Sequence, residues 1–170
     1  MNGLAPRLRL GTLMLALLPA GALLGLSGCM GGMPVPMGAL DRQLEQAGAS
    51  RAPALAGRWL ALIGNRGGRN QVLLVDVERQ TPVPLPGLNR PDALPLSVAV
   101  DGGGERLAVV WQIGDRTELV LHRRRFMSNE RIPMDQAGVP RRVSLRADGR
   151  ELAVEVSRDG RWQVDLIRIP

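Results

Sequence analysis

The chain holds one cysteine, Cys29, and one histidine, His122, among its 170 residues. A lone thiol can be acylated or oxidised, but it closes no disulfide within the chain. His122 opens the run His-Arg-Arg-Arg-Phe, where three neighbouring guanidinium groups disfavour its protonated form. A general base also needs a nucleophile and an orienting acid within reach, and the sequence supplies neither beside it. His122 is therefore expected on a solvated strand. Ser50, Ser97, Ser128, Ser144 and Ser157 stand in no Gly-x-Ser-x-Gly setting. With one His and one Cys there is no metal-ligand spacing, and Asp101, Asp115, Asp148 and Asp159 sit beside glycine or arginine, as turn-capping residues do. Gly67-Gly68 and Gly102-Gly103-Gly104 precede no helix and no Gly-Lys-Ser/Thr, so they read as turns, not phosphate loops. The expectation is a non-catalytic protein with no cofactor and no metal. Arg123, Arg124 and Arg125, with Arg131, Arg141 and Arg142 nearby in sequence, form the densest charge feature. They suit a solvated rim that keeps a strand edge from pairing, with a docking patch for an acidic protein, polysaccharide or anionic headgroup as the functional alternative.

Cys29 gains meaning from what precedes it. Arg7 and Arg9 are followed by the apolar stretch 10–26, and Leu26-Ser27-Gly28 then lead into the cysteine. Charge, apolar run and small residues in that order make a secretory signal. The Leu-Ser-Gly-Cys ending resembles the bacterial lipoprotein box. That resemblance implies diacylation of Cys29 on sulfur, removal of residues 1–28 and a mature chain beginning at Cys29. Two rivals stand beside it: ordinary secretion, and an uncleaved anchor, since 17 mostly apolar residues come close to spanning a bilayer. Pro19 and several glycines weaken the anchor as a stable helix. By resemblance to proteobacterial lipoproteins, Met30 in place of Asp after the cysteine permits sorting to the outer membrane. The expected location is the periplasmic side of the cell envelope, on the inner or the outer membrane.

Removing residues 1–28 leaves 142 residues, enough for one domain with a modest core. The basic set is all arginine, 20 against 16 acids in that mature stretch, a scattered and moderate excess. It favours solubility and weak attraction to anionic surfaces. Nucleic acid is not expected as a partner of an exported chain with four aromatic residues in all.

The elements that would position these residues are strands. Residues 30–38 read as a flexible tether and 40–47 as two helical turns. The expected organisation is a signal over 1–28, a lipidated cysteine, linker and short helix over 29–53, and an all-β region over 54–170. In that region Leu60-Ala61-Leu62, Leu107-Ala108-Val109 and Leu152-Ala153-Val154 start 47 and 45 residues apart. Twelve residues after each anchor leucine comes a second apolar strand, at Val72, Leu119 and Val164. Nine residues after each anchor stands an arginine (Arg69, Arg116, Arg161), and three before it a glycine (Gly57, Gly104, Gly149). Features recurring together in three copies make a repeat array. Hairpins repeating about every 45 residues predict propeller-like antiparallel blades.

The third copy carries the clearest resemblance. Arg146-Ala147-Asp148-Gly149-Arg150-Glu151-Leu152-Ala153-Val154, then Ser157-Arg158-Asp159-Gly160, resembles the TolB-type propeller repeat: an Asp-Gly turn, an apolar strand, a second Asp-Gly turn and another strand. The second copy matches through Asp101-Gly102 and Gly114-Asp115, and the first through residues 57–62 and 65–68. The resemblance implies a lipid-anchored interaction module with an envelope protein partner, of Tol–Pal type or another. The alternative is a carbohydrate-binding protein or small hydrolase using the propeller cavity. Three blades fall short of the four to eight that close a ring. The chain is therefore expected to form an open arc or to close by homo-oligomerisation. Residues 81–85 and 131–134, both with proline, are the expected outermost strands. Trp59, Trp111 and Trp162 are expected to pack in the core or between blades.

Overall fold

A computed structural model describes residues 33–46 and 48–170. Leu26, Ser27, Gly28 and Cys29 lie outside the described residues. The folded unit runs from Met37 to Pro170. It opens with helix α1 (Gly38–Gln46) and continues in eleven strands. Strands β1 (Ser50–Ala56), β2 (Trp59–Arg66), β3 (Arg69–Asp76) and β4 (Thr81–Val83) make the first antiparallel sheet, in that order. The second is β5 (Leu94–Val100), β6 (Arg106–Ile113), β7 (Arg116–Arg123) and β8 (Ser128–Arg131). The third has three strands, β9 (Val139–Leu145), β10 (Glu151–Arg158) and β11 (Arg161–Arg168). These are three blades stacked face to face, and no fourth sheet stands among the described residues.

Each repeated residue has a fixed place in a blade. The anchor leucines lie in the second strand, and the arginines nine residues later open β3, β7 and β11 directly after the hairpin turn. The glycines three residues before each anchor all have positive φ: 56° at Gly57, 67° at Gly104 and 73° at Gly149. Only glycine takes that conformation without a Cβ penalty, which is why the type recurs. Asp101 is buried, and its Oδ1 accepts from the N–H of Glu105 (2.8 Å) and of Arg106 (3.1 Å). Neighbouring turns are stitched together: Gly102 N donates to Ala147 O at 2.8 Å, and Arg106 Nη1 to Gly149 O at 2.8 Å.

Two cores lie between the three blades. Trp59, Ala61, Ile63, Val72 and Leu74 of the first blade pack on Val98, Val100, Leu107, Val109 and Trp111 of the second. The opposite face of the second blade, with Ala108, Val110, Leu119 and Leu121, packs on Val143, Leu152, Val154 and Val156 of the third. The middle blade is thus covered on both faces, so β6 reads as an unbroken apolar run from Leu107 to Trp111. In contrast, β10 alternates: Leu152, Val154 and Val156 are buried, while Ala153, Glu155 and Ser157 are half-exposed. One uncovered face produces that alternation.

The structure departs from expectation at several edges. The first blade has a full opening strand, β1, beginning at Ser50, inside the stretch assigned to the linker. A bulge hides it: the register shifts between Arg51 and Ala54, Ala52 has φ 51°, and Pro53 donates no hydrogen bond. Outer strand β8 covers Ser128–Arg131 instead of 131–134, so it ends before Pro133, whose missing N–H would break the ladder. β4 stops at Val83, before Pro84. Helix α1 starts two residues earlier than expected and buries Leu40. It lies beside the outer face of the first blade, where Leu40, Gln43 and Leu44 line one cavity with Gln71, Leu73 and Val75. Trp59 and Trp111 are buried as expected, but Trp162 is 61% exposed on β11.

Candidate functional site

The first strand of each blade, β1, β5 and β9, lines one open cleft of about 630 Å³. Its polar side chains are Arg51, Ser97, Arg142 and Ser144. Two of these hold the blades together. Arg51 reaches from the first blade to donate to Pro95 O (2.9 Å) and Leu96 O (3.1 Å). Ser97 Oγ of the second blade accepts from Val143 N of the third at 3.2 Å, in a buried position. Arg142 and Ser144 remain exposed, and Leu55 presents an apolar side chain, 68% exposed, on the same cleft. The lining holds no imidazole, no carboxylate and no aromatic ring. It can therefore donate hydrogen bonds and offer apolar contact, but it has neither a general base nor a platform for stacking a sugar.

The arginine cluster is divided by the fold. Arg123 ends β7 and pairs with Glu130 on β8 at 3.3 Å. Arg124 pairs with Glu105, and its guanidinium lies 5.2 Å from the ring centroid of Trp59. Arg58 lies 4.8 Å from the same ring, so two cations hold this buried indole. Arg124 is thus a tie between the first two blades. Arg125 is exposed beside Phe126 and Met127, at a short 3₁₀ turn of Arg124–Phe126. Arg131 and Arg141 are exposed, and Arg142 belongs to the cleft. The sequence cluster therefore resolves into internal pairs, a small rim and one cleft residue.

His122 is not on a solvated surface; it is fully buried in β7. Its Nδ1 lies 2.9 Å from Asn129 Oδ1 on the neighbouring β8, and Asn129 Nδ2 donates to Gly87 O at 2.7 Å. The amide is thereby oriented with its oxygen toward the ring, so Nδ1 carries the proton and donates. Nε2 is buried without a partner. The missing signal was Asn129, seven residues away, which only strand pairing brings opposite His122. Burial, and to a lesser degree the charge of Arg124, hold the imidazole below its ordinary value; the Asn129 bond opposes them. The unfolded chain takes up this proton near the ordinary value of about 6.5, before the folded chain does. Stability is therefore full above pH ~6.5 and falls below it, by up to about 1.4 kcal/mol per pH unit, until the folded state also protonates. Urea titrations at pH 7 and pH 5 are expected to show this loss, and His122→Leu to remove most of it. An equal pH slope in the variant would assign the loss elsewhere.

Of the acids expected in turns, Asp148 also caps its own turn, with Oδ1 accepting from Arg150 N at 3.0 Å. Asp76, buried in the first blade, accepts from Arg79 N at 3.1 Å and lies 3.5 Å from Arg58 Nε. Arg158 closes the third blade by pairing with Asp165 and donating to Ala137 O at 3.1 Å. That pairing, chiefly its hydrogen bond, lowers the Asp165 pKa and raises that of Arg158. Among the described residues, no group of three or more His, Cys, Asp or Glu could hold a metal ion, and no helix is long and apolar enough to cross a membrane.

No protein-family model matches the chain, and no curated protein matches it. Solved structures do. TolB from Acinetobacter baumannii superposes with a TM-score of 0.54 at 16% identity, over 69% of this chain and 29% of that one. A protein described as TolB from Agrobacterium tumefaciens gives 0.60 at 12% identity, over 74% and 48%. The β-propeller domain of the Trilobed protease from Pyrococcus furiosus, described as having an open velcro topology, gives 0.50 at 12%, over 71% and 42%. The chain spans less than half the length of each. Three antiparallel blades, matched to part of these larger propellers, give the chain the fold of a partial, TolB-like β-propeller.

Proposed function

We propose that this protein is a lipid-anchored component of the bacterial cell envelope whose three-blade arc binds another protein without catalysing a reaction. The observation that carries the reading is the cleft between β1, β5 and β9. Its polar groups are partly used to join blades, and what remains free, Leu55, Arg142 and Ser144, is contact chemistry. The fold likeness to TolB supports an envelope setting, and the lipoprotein-box resemblance at Cys29 supports the anchor. Exposed arginine on the cleft favours a partner segment with carboxylate or carbonyl acceptors, and Leu55 favours an apolar contact beside it.

A photo-crosslinking amino acid at position 55, irradiated in intact envelopes, tests this. A discrete adduct with one other protein is expected, weakened by Arg142→Ala. Absence of any heterologous adduct, or adducts spread evenly over abundant envelope proteins, would remove the reading.

A further inference from the structure

Among the described residues, the third blade has three strands where the other two have four. Its last strand, β11, is the equivalent of β3 and β7, and all three are eight residues long. Ile169 N donates to Arg150 O at 2.7 Å, and β10 and β11 pair in unbroken register from there to the hairpin turn. Backbone groups alternate in direction along an antiparallel strand. Ile167, Asp165 and Gln163 therefore face β10, while Arg168, Leu166 and Val164 turn N–H and C=O outward. Counting from the anchor leucine, these are offsets +16, +14 and +12, and the other blades fill them. In the first, Val72 N donates to Asn89 Oδ1 at 2.7 Å and Val72 O accepts from Asn89 Nδ2 at 2.9 Å. Leu74 and Asp76 lie opposite Val83 and Thr81 of β4. In the second, Leu119 O accepts from Ile132 N at 2.9 Å, and Leu121 and Arg123 lie opposite Glu130 and Ser128 of β8. In the third, no strand among the described residues lies beyond β11, and Val164 and Leu166 are 67% and 82% exposed. A long apolar edge with open backbone groups is a template for strand pairing.

We infer that this edge receives a fourth strand donated in antiparallel sense by another protein, an extended segment with a carboxylate opposite Leu166. The sense and the carboxylate follow from the second blade, whose third strand carries the same residue types, Leu121 at +14 and Arg123 at +16. There Glu130 stands opposite Leu121 and pairs diagonally with Arg123 at 3.3 Å. In the third blade Leu166 and Arg168 occupy those offsets, and the Arg168 side chain is 86% exposed. Its ion pair is a loose contact of 3.7 Å with Glu151, which Arg146 already holds at 2.9 Å. A donated carboxylate thus meets an available guanidinium where the second blade already places such a pair. Two other occupants lack it. Residues 30–37 of the tether contain no acid, and β11 of a second copy has only Asp165, which is tied to Arg158. Main-chain hydrogen bonds to Val164, Leu166 and Arg168 supply affinity in this mode of recognition, and the flanking side chains supply specificity. An apolar residue beside Val164, as Ile132 stands beside Leu119, completes the match through cross-strand contact.

Amide exchange of the detergent-solubilised full chain, read by mass spectrometry with and without a synthetic peptide of residues 127–132, tests this. The peptide reproduces β8 and is used at concentrations on the order of 1 mM, because one short strand binds weakly. The outward amides of β11 are expected to exchange freely in the chain alone and roughly tenfold more slowly with the peptide. Leu166→Pro removes an N–H that faces away from β10, so thermal melting is expected to stay unchanged while the protection vanishes. Arg168→Glu is expected to weaken the protection, and a peptide carrying Glu130→Arg to restore it. No protection of the wild type, protection that survives Leu166→Pro, or equal protection of the wild type by both peptides would each overturn the inference. An edge already protected in the peptide-free chain would overturn it too, and sedimentation of that sample would tell a second copy from the chain's own tether. Neither Leu55 nor Arg142 takes part, so this inference and the cleft proposal fail separately.

Discussion

Gly104→Val is expected to leave much of the chain unfolded near physiological temperature. A Cβ built at Gly104 would stand 2.5 Å from two ring atoms of Trp59, closer than real carbon contacts allow. Trp59 cannot retreat, because it is buried in the core between the first two blades with the guanidinium groups of Arg58 and Arg124 close to its ring. The φ of 67° adds backbone strain that a β-branched residue tolerates worst. Overpacking and strain together cost about 3–5 kcal/mol, a large share of the roughly 5–15 kcal/mol that holds an ordinary domain folded. Equivalent positions grade the effect. At Gly149 the nearest atoms are Arg106 Cδ (3.0 Å) and Asp101 Oδ2 (3.1 Å), and at Gly57 the carbonyl of Gly102 (3.3 Å). Gly114, with φ 60°, has nothing within 4 Å. Denaturation midpoints of the four alanine variants should therefore fall most for Gly104, then Gly149, then Gly57, and least for Gly114. An equal loss at Gly104 and Gly114 would leave backbone strain alone and refute the packing account.

That grading shows where sequence reading reaches and where it stops. The glycine before each anchor, the arginine after each hairpin and the spacing of the strands are local consequences of turn geometry. They were legible because turn geometry is written in adjacent residues. Strand β1 was not, because Pro53 and the bulge at Ala52 break the alternation by which strands are recognised. His122 misled for a different reason. Its sequence neighbours are arginines, but its spatial neighbours are set by the pairing of β7 with β8, and one of those arginines, Arg124, turns inward to Glu105 and Trp59. The face of the third blade is the sharpest case. Offsets +1, +12 and +14 hold Ala, Val and Leu there as in the first blade, yet the same residue types are buried in one and exposed in the other. A strand encodes which of its faces is apolar; what stands opposite is a property of the assembly. Glu155 and the alternation along β10, against the unbroken run in β6, were the readable sign that one face of this blade is uncovered.

Cys29→Ser is expected to abolish lipid labelling and move the protein from the membrane pellet to the soluble fraction. Thiol chemistry sets this outcome: the thiolate forms one thioether bond to a glyceryl unit that carries two acyl chains, displacing the phosphate headgroup of the donor lipid, and a serine hydroxyl is a far weaker nucleophile at neutral pH. Two acyl chains suffice for stable anchoring where a single chain is marginal, so losing the acceptor removes essentially all of the membrane affinity. The tether of residues 30–37 reaches at most roughly 29 Å when fully extended. Under this reading the start of α1 stays within that distance of a bilayer, where confinement raises the effective concentration of neighbouring envelope proteins. Fatty-acid labelling of the wild type and the variant, with each fractionated by ultracentrifugation, separates the readings. Label on the wild type alone supports acylation at Cys29. A variant that stays in the pellet at the mass of the unprocessed chain, with no label on either protein, would instead establish residues 10–26 as an uncleaved anchor.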